Sequence, residues 1–374
     1  MPSTLRCLFF LAPLSLSMAA CGPKADPDAP PRCETAEPVS GNATAGRLYI
    51  DSDGSDASTY SHAFDAEEDV PMAGQWLRLI GASGEQETGT CDDGTYAFGD
   101  LEDGTYVVAP DLSESGTCLQ KNCATRFPAA IDEGEVVVLT WGDSVPVYGN
   151  PPFFPKRLKK LLGDLASIDN RNVAVGGSVS TDWLPGTSLY EEHLTPNIAD
   201  ADVVLVSIGG NDILYAMQNV DITDIDGAIE QGYELIVEIF ENVLTTVEAL
   251  KSENPDIDVI YCLYVDYSIA TEGTWGLVDM FLPEGTISSL LESARDLVGA
   301  EDSILLADMF AASHELEDPL DDYMYDELHF NDRGQTFYAE EIFKTLGGVL
   351  IGESPLAGEP RSPLGTSHDY SFLD

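Results

Sequence analysis

The chain has 374 residues, with 17 Lys and Arg against 66 Asp and Glu, giving a formal net charge of -49. That length allows two domains of roughly 100 to 200 residues each, and a hydrophobic content of 44% permits buried cores, which argues against a disordered chain and against a membrane bundle. So acidic a surface disfavours nucleic acid and other polyanions as partners, and it says nothing about the fold.

Arg6 precedes an apolar run, Cys7 to Ala20, that is too short to span a bilayer but has the length of a signal-peptide core. The run ends in Ser17-Met18-Ala19-Ala20-Cys21, which resembles a bacterial lipobox, with Met18 where such sequences usually carry Leu. The resemblance implies that residues 1–20 are a lipoprotein signal peptide and that Cys21 is lipidated. The mature protein would then be anchored in the bacterial cell envelope, facing the periplasm or the exterior. Residues 21–44, rich in Pro, Ala, Asp and Glu without hydrophobic periodicity, form a predicted flexible tether. Export would place the remaining cysteines under oxidising conditions. Cys33, Cys91, Cys118 and Cys123 allow several pairings, of which Cys118 with Cys123 and Cys33 with Cys91 is the simplest. Cys262 lies in the apolar run Val259 to Val265 and is expected to be a buried free thiol. No CxxC pair or His/Cys cluster suggests zinc.

Over residues 45–134 short apolar runs alternate with Gly/Asp turns, as in Trp76-Leu77-Arg78-Leu79-Ile80 and Tyr106-Val107-Val108, a spacing that predicts a small all-β sandwich. Gly46-Arg47-Leu48-Tyr49-Ile50-Asp51, Val70-Pro71-Met72-Ala73-Gly74, Asp93-Gly94-Thr95-Tyr96-Ala97-Phe98 and Leu101 to Val108 together resemble the Cna-B or SdrD-B type of prealbumin-like domain. Relatives of the SdrD-B kind often bind calcium, and Asp51, Asp53 and Asp56 offer closely spaced oxygen ligands. In so acidic a chain such clusters also arise by chance, and the sequence leaves the choice open.

From residue 135 strand-like and helix-like segments alternate, which predicts a parallel sheet flanked by helices over 135–350. Val136 to Leu139, Val173 to Val175, Val203 to Ile208, Val259 to Val265 and Ser303 to Ala307 are the predicted strands. Phe154, Leu158, Leu161, Leu162 and Leu165 recur at helical spacing, as do Ile229, Tyr233, Ile236, Phe240, Val243, Leu244, Val247 and Leu250. Phe337 to Leu346 predicts a closing helix, and 351–374 an unstructured tail. Lys156, Arg157, Lys159 and Lys160 are expected on the solvated face of the first helix, opposite its leucines. Trp183 and Trp275 fall near strand ends, suited either to a pocket wall or to core packing.

Four short stretches in this half fit one chemistry. Trp141-Gly142-Asp143-Ser144 puts a serine where a strand turns into a helix, the edge at which ligands gather in parallel α/β folds. Gly176-Gly177-Ser178 and Gly209-Gly210-Asn211-Asp212 offer unobstructed backbone amides and a side-chain amide as oxyanion donors. Asp326-Glu327-Leu328-His329 places a carboxylate close enough to orient an imidazole. At these four blocks the chain resembles the SGNH, or GDSL-type, hydrolases. The resemblance implies a three-layer, flavodoxin-like α/β fold, Ser144 as nucleophile, and oxyanion donors from the Ser144 and Gly177 amides and the Asn211 side chain. It also implies His329 as base with Asp326 orienting it. His329-Phe330-Asn331-Asp332-Arg333-Gly334 matches the family's entry into its last helix, whereas Val145-Pro146 departs from the Leu that follows the family's serine. No G-x-S-x-G elbow occurs. His62, His193, His314 and His368 lack a comparable context.

The expectation is therefore an exported carboxylic ester hydrolase without cofactor, acting on a small ester or on an acylated polysaccharide or lipid. The appended β domain tilts the substrate toward carbohydrate esters by analogy alone. The alternative is a surface adhesion lipoprotein with an inactive hydrolase domain, against which the intact Ser144, Asn211, Asp326 and His329 weigh.

Overall fold

The computed structural model describes residues 36, 42–47, 49–50, 70–71, 73–110, 126–217, 225–270, 285–301, 303–352 and 354–356. The signal peptide with Cys21, the acidic cluster Asp51, Asp53 and Asp56, and Cys33, Cys118, Cys123 and Trp275 lie outside them. Among the described residues no helix is long and apolar enough to cross a membrane, and no group of three His, Cys, Asp or Glu side chains gathers as for a metal.

The chain divides into two compact units. The first spans residues 1–124, 300–303 and 346–355, and its described residues form antiparallel strands. β1 (Thr44–Arg47), β2 (Tyr49–Ile50), β3 (Val70–Pro71), β4 (Trp76–Gly81), β5 (Gly84–Gly89), β6 (Thr95–Phe98) and β7 (Gly104–Pro110) precede the second unit in the chain. β4 alternates buried Leu77 and Leu79 with half-exposed neighbours, the period of a sheet with one face on a core. Leu77, Leu79, Phe98, Leu101 and Tyr106 form that core with Ile351. Ile351 ends the last described strand, β13 (Gly348–Ile351), which pairs antiparallel with β7 at the edge of a four-stranded sheet ordered β13-β7-β4-β5. The sequence places residue 351 in an unstructured tail, but its apolar side chain is buried, as is that of Leu356. Four strand residues after a glycine carry no periodicity long enough to announce a strand. Cys91 is disulfide-bonded.

The second unit, residues 125–299, 304–345 and 356–374, contains the predicted parallel sheet. Its strands are β8 (Glu135–Gly142), β9 (Ser167–Asn172), β10 (Val203–Ser207), β11 (Asp258–Cys262) and β12 (Leu305–Ala307), all parallel, in the order β12-β11-β10-β8-β9. Read from β9, this is the 2-1-3-4-5 order of flavodoxin-like folds, in which the chain reverses its direction of winding between the first and third strands. Every residue of β10 and β11 is buried, which requires both sheet faces to be covered. Cys262 is buried and free, as its apolar run predicts.

One strand differs from expectation. The second strand is Ser167–Asn172 and not Val173 to Val175, because alternation within Ser-Ile-Asp-Asn-Arg-Asn is too polar to announce a strand. Val173 and Val175 still donate backbone hydrogen bonds to Thr140 and Gly142, so this segment follows β8 beyond the strand's end.

Among the described residues the helices of this unit are α1 (Arg126–Glu133), α2 (Phe154–Leu162), α3 (Gly210–Met217), α4 (Ile225–Glu253), α5 (Thr286–Ala300), α6 (Met309–His314) and α7 (Asp332–Thr345). Pro155 sits in the first turn of α2, where a missing N–H costs nothing. α4 buries Ile236, Ile239, Val243, Val247 and Leu250 along one face, the 3.6-residue stripe of an amphipathic helix.

α2 departs from expectation at one residue. Lys156, Lys159 and Lys160 are exposed, but Arg157 is 1% exposed and does not belong to the solvated face. Its guanidinium donates to Asp332 Oδ1 at 2.9 Å, to Thr336 Oγ1 at 3.0 Å and to the Pro152 carbonyl at 2.6 Å. It thus ties α2 to the first turn of α7, whose Asp332 also favours the positive end of the helix dipole. Removing one partner of a buried ion pair strands the other charge. Arg157→Ala is expected to lower unfolding free energy by about 3–5 kcal/mol in urea titrations; a loss within experimental error would contradict this role.

Candidate active site

Ser144 follows β8 and Asn211 opens α3 after β10, so the two lie at the carboxyl ends of the adjacent strands that flank the switch point. The two strands approach so closely there that only glycine fits. Gly142 has φ +140°, and a Cβ on it would stand 1.8 Å from the Ser207 carbonyl oxygen. The Asp143 N–H continues the ladder by donating to Ser207 at 2.9 Å. The chain then turns, with the Ser144 carbonyl accepting from the Val147 and Tyr148 amides.

His329 arrives from the segment before α7. Its Nε2 lies 2.8 Å from Ser144 Oγ, and its Nδ1 lies 2.9 Å from both carboxylate oxygens of Asp326. Asp326 also accepts the backbone N–H groups of Leu328 and His329 at 2.8 Å, a local Asx turn that fixes the segment's shape. Burial opposes ionisation of this carboxyl, but the bonds from His329 and the two amides outweigh it and hold its pKa below the ordinary value.

The segment is braced from several sides. The Tyr325 N–H donates to the His329 carbonyl at 2.7 Å, the Asn150 N–H to Phe330 at 3.1 Å, and the Tyr267 hydroxyl to Leu328 at 3.0 Å. Gly149 makes the second close approach, since a Cβ there would come within 2.3 Å of the Phe330 carbonyl oxygen. The Tyr148 ring stands 4.4 Å from the imidazole, tilted by 58°. His329 is 5% exposed as a result.

The two glycine-containing loops are joined to each other. Asn211 Nδ2 donates to the Ser178 carbonyl at 2.9 Å, which leaves its second N–H available. Asp212 accepts from the Ser180 N–H and, at 2.6 Å, from its hydroxyl. Ser178 Oγ bridges from Trp183 Nε1 at 2.9 Å to the Gly142 carbonyl at 3.1 Å. Trp183 is fully buried against Trp141, with ring centroids 5.3 Å apart, and is a core residue and not a pocket wall. Gly176 faces Ser144, since a Cβ on it would lie 3.8 Å from the serine Cβ, and Gly177 has φ +83°. The amides of Ser144 and Gly177 donate no hydrogen bond among the described residues.

A tyrosine that the sequence did not single out completes the frame. The Tyr264 hydroxyl donates to Asp143 Oδ2 and accepts the Gly210 N–H at 3.1 Å, coupling the residue before Ser144 to the residue before Asn211. Tyr264 lies two residues beyond β11 in an apolar run, where a buried aromatic gives no sign that it carries a polar bridge. Asp143 is 2% exposed, and burial pushes its carboxyl up to about 6 despite the Tyr264 and Val145 hydrogen bonds and the nearby His329. Of the other histidines, His314 bonds Asp266 at 3.1 Å and His193 stands beside Trp183; neither reaches Ser144.

Because Asp143 binds its proton more tightly folded than unfolded, its contribution to stability falls as pH rises from the ordinary value of 3.8 through about 6. Asp143→Asn cannot ionise. The melting temperature of this variant relative to the parent is expected to improve steadily from about pH 4 to about pH 7. A difference that does not vary with pH would contradict the raised value.

The model of the GDSL-like Lipase/Acylhydrolase family matches residues 139–337. No curated protein matches the chain. Among solved structures, a lipase from a goat rumen metagenome is 19% identical over 56% of this chain and 97% of its own, with a TM-score of 0.43. Phospholipase A1 from Streptomyces albidoflavus is 15% identical over 56% of this chain and 99% of its own, with a TM-score of 0.43. An acetylxylan esterase from Geobacillus stearothermophilus is 16% identical over 57% of this chain and 94% of its own, with a TM-score of 0.37. With over half of its length matched by the family's model, including the segments of Ser144, Asn211 and His329, the chain belongs to the GDSL-like lipases and acylhydrolases, which are ester-cleaving hydrolases.

Proposed function

We propose that this chain is an exported, lipid-anchored serine hydrolase that cleaves carboxylic esters through an acyl-serine intermediate, with Ser144 as nucleophile, His329 as general base and Asp326 as its orienting carboxylate. One observation carries the reading: an unbroken line of contacts runs from Asp326 through both ring nitrogens of His329 to Ser144 Oγ, at 2.9 and 2.8 Å. With the ring proton on Nδ1, bonded to Asp326, Nε2 is the acceptor for the serine hydroxyl.

Ser144 Oγ attacks the ester carbonyl carbon as its proton passes to Nε2, and the carbonyl oxygen takes up the negative charge. The amides of Ser144 and Gly177 and the second N–H of Asn211 are the donors for that oxyanion, held in place before the reaction starts. The bond from carbon to the alcohol oxygen then breaks, and the alcohol leaves with the proton from Nε2. Water, deprotonated by Nε2, attacks the acyl carbon; the acid departs and Ser144 recovers its proton. Asp326, whose low pKa keeps it ionised, offsets the imidazolium charge in both halves.

The apolar run Cys7 to Ala20 and the small residues before Cys21 support export and lipid anchoring. The antiparallel strands of the first unit, with the turn motifs noted above, support a prealbumin-like spacer or binding module on that anchor.

Ser144→Ala and His329→Ala, each with unchanged circular dichroism, are expected to lower kcat on a short-chain nitrophenyl ester by at least about 10⁴-fold, and Asp326→Ala by about 10²- to 10⁴-fold. Parental turnover by Ser144→Ala would refute the assignment. Cys21→Ala is expected to abolish incorporation of labelled palmitate in a bacterial host, and undiminished incorporation would refute the anchor.

A further inference from the structure

A cavity of about 460 Å³ opens at Ser144 and His329 and runs between α3, α4 and α5. Its walls are Leu214 and Met217 of α3, Gly232 and Leu235 of α4, and Ile287 and Leu290 of α5. α3 buries none of its residues fully, although it carries Ile213, Leu214 and Met217, and these side chains line the cavity. Apolar side chains left half open beside a reacting serine need an apolar occupant to complete their burial.

Apart from Gln231, which is exposed, the polar side chains of the lining are largely engaged in hydrogen bonds within the fold. Tyr264 bonds Asp143 and Gly210, Tyr267 bonds the Leu328 carbonyl, and Asn211 bonds the Ser178 carbonyl. Among the described residues no lysine or arginine, the side chains that best hold a phosphate or carboxylate, lines the cavity. A sugar ring would have to bury several hydroxyls against Leu, Ile and Met without partners, each at a cost. An aliphatic chain meets no such penalty. Gly232 keeps the passage open: a Cβ at that position would come within 3.2 Å of Leu290, the residue facing it across α4 and α5.

On the reading of Ser144 as nucleophile, we propose that this cavity receives the acyl chain of a medium- or long-chain fatty ester, so that the preferred substrates are lipid acyl esters and not the acetyl esters of carbohydrates. The tail would stay in the cavity through both halves of the reaction while the alcohol departs from the open side.

The test is kcat/KM for a series of nitrophenyl esters from acetate to laurate, together with ethyl octanoate against octyl acetate and with acetylated xylan. The expected result is a rise of at least about tenfold from acetate to octanoate, since each buried methylene adds favourable transfer free energy, and faster cleavage of ethyl octanoate than of octyl acetate. Leu214→Trp and Gly232→Phe, two independent fillings of the cavity, are expected to lower the octanoate-to-acetate ratio by about tenfold or more. A preference for acetate or for acetylated xylan, faster cleavage of octyl acetate, or a ratio unmoved by either filling would overturn the proposal while leaving Ser144 in its role. Loss of dependence on Ser144 would instead overturn the reading on which it rests.

Discussion

The hydrogen bond between His329 Nε2 and Ser144 Oγ, 2.8 Å long and joining residues 185 positions apart, is the constraint on which the arrangement of the second unit turns. Neither side chain reaches that distance by local propensity. On the serine side, β8 and β10 must come so close that Gly142 has no room for a Cβ. On the histidine side, the turn capped by Asp326 must dock on Gly149 and Asn150, and α7 must start where Arg157 can pair with Asp332. Each of these is a backbone approach or a buried charge pair with one acceptable geometry, so the position of the imidazole is set by packing and not by a flexible linker.

Charge follows the same logic. The chain carries 17 basic residues among 66 acidic ones, and every described arginine of the second unit contacts a carboxylate. Arg126 meets Asp202 and Glu133, Arg157 meets Asp332, and Arg171 meets Asp169 and Asp200. Arg295 meets Asp308, and Arg333 meets Asp318 while lying 4.2 Å from the Tyr323 ring centroid. The planar guanidinium suits such multidentate, partly buried roles better than an ammonium does. In a chain with so large a negative excess, these cations relieve repulsion among carboxylates that the fold brings together. Asp143 is held instead by hydrogen bonds from Tyr264 and the Val145 amide, and burial still pushes its carboxyl up to about 6.

Much of this was legible in the sequence for physical reasons. The apolar runs of β8, β10 and β11 are strands buried on both faces, which leave a continuous hydrophobic signature. Ser144 and Asn211 follow the ends of two of these strands, and Asp326 and His329 lie in the segment before α7. What was not legible depends on contacts between distant segments. β9 is polar, because it is an edge strand with one neighbour in its sheet, so its pattern gave no alternation. β13 is four residues long and is defined by pairing with β7, where Gly348 stands opposite Val107 and Ile351 opposite Gly104. Arg157 looks like its three lysine neighbours until Asp332 is placed opposite it, and Tyr264 looks like core until its hydroxyl is seen between Asp143 and Gly210. Periodicity carries burial of whole faces, whereas polar pairing across the fold has no local trace.

The central claim is that a nucleophilic serine sits at the end of β8, activated by His329. Its most direct measurement is mass spectrometry of the protein after reaction with a fluorophosphonate probe, followed by peptide mapping. The account predicts one covalent adduct per chain, located on Ser144 and absent when His329 is replaced by alanine. An adduct on another residue, or none on the folded parent protein, would contradict it.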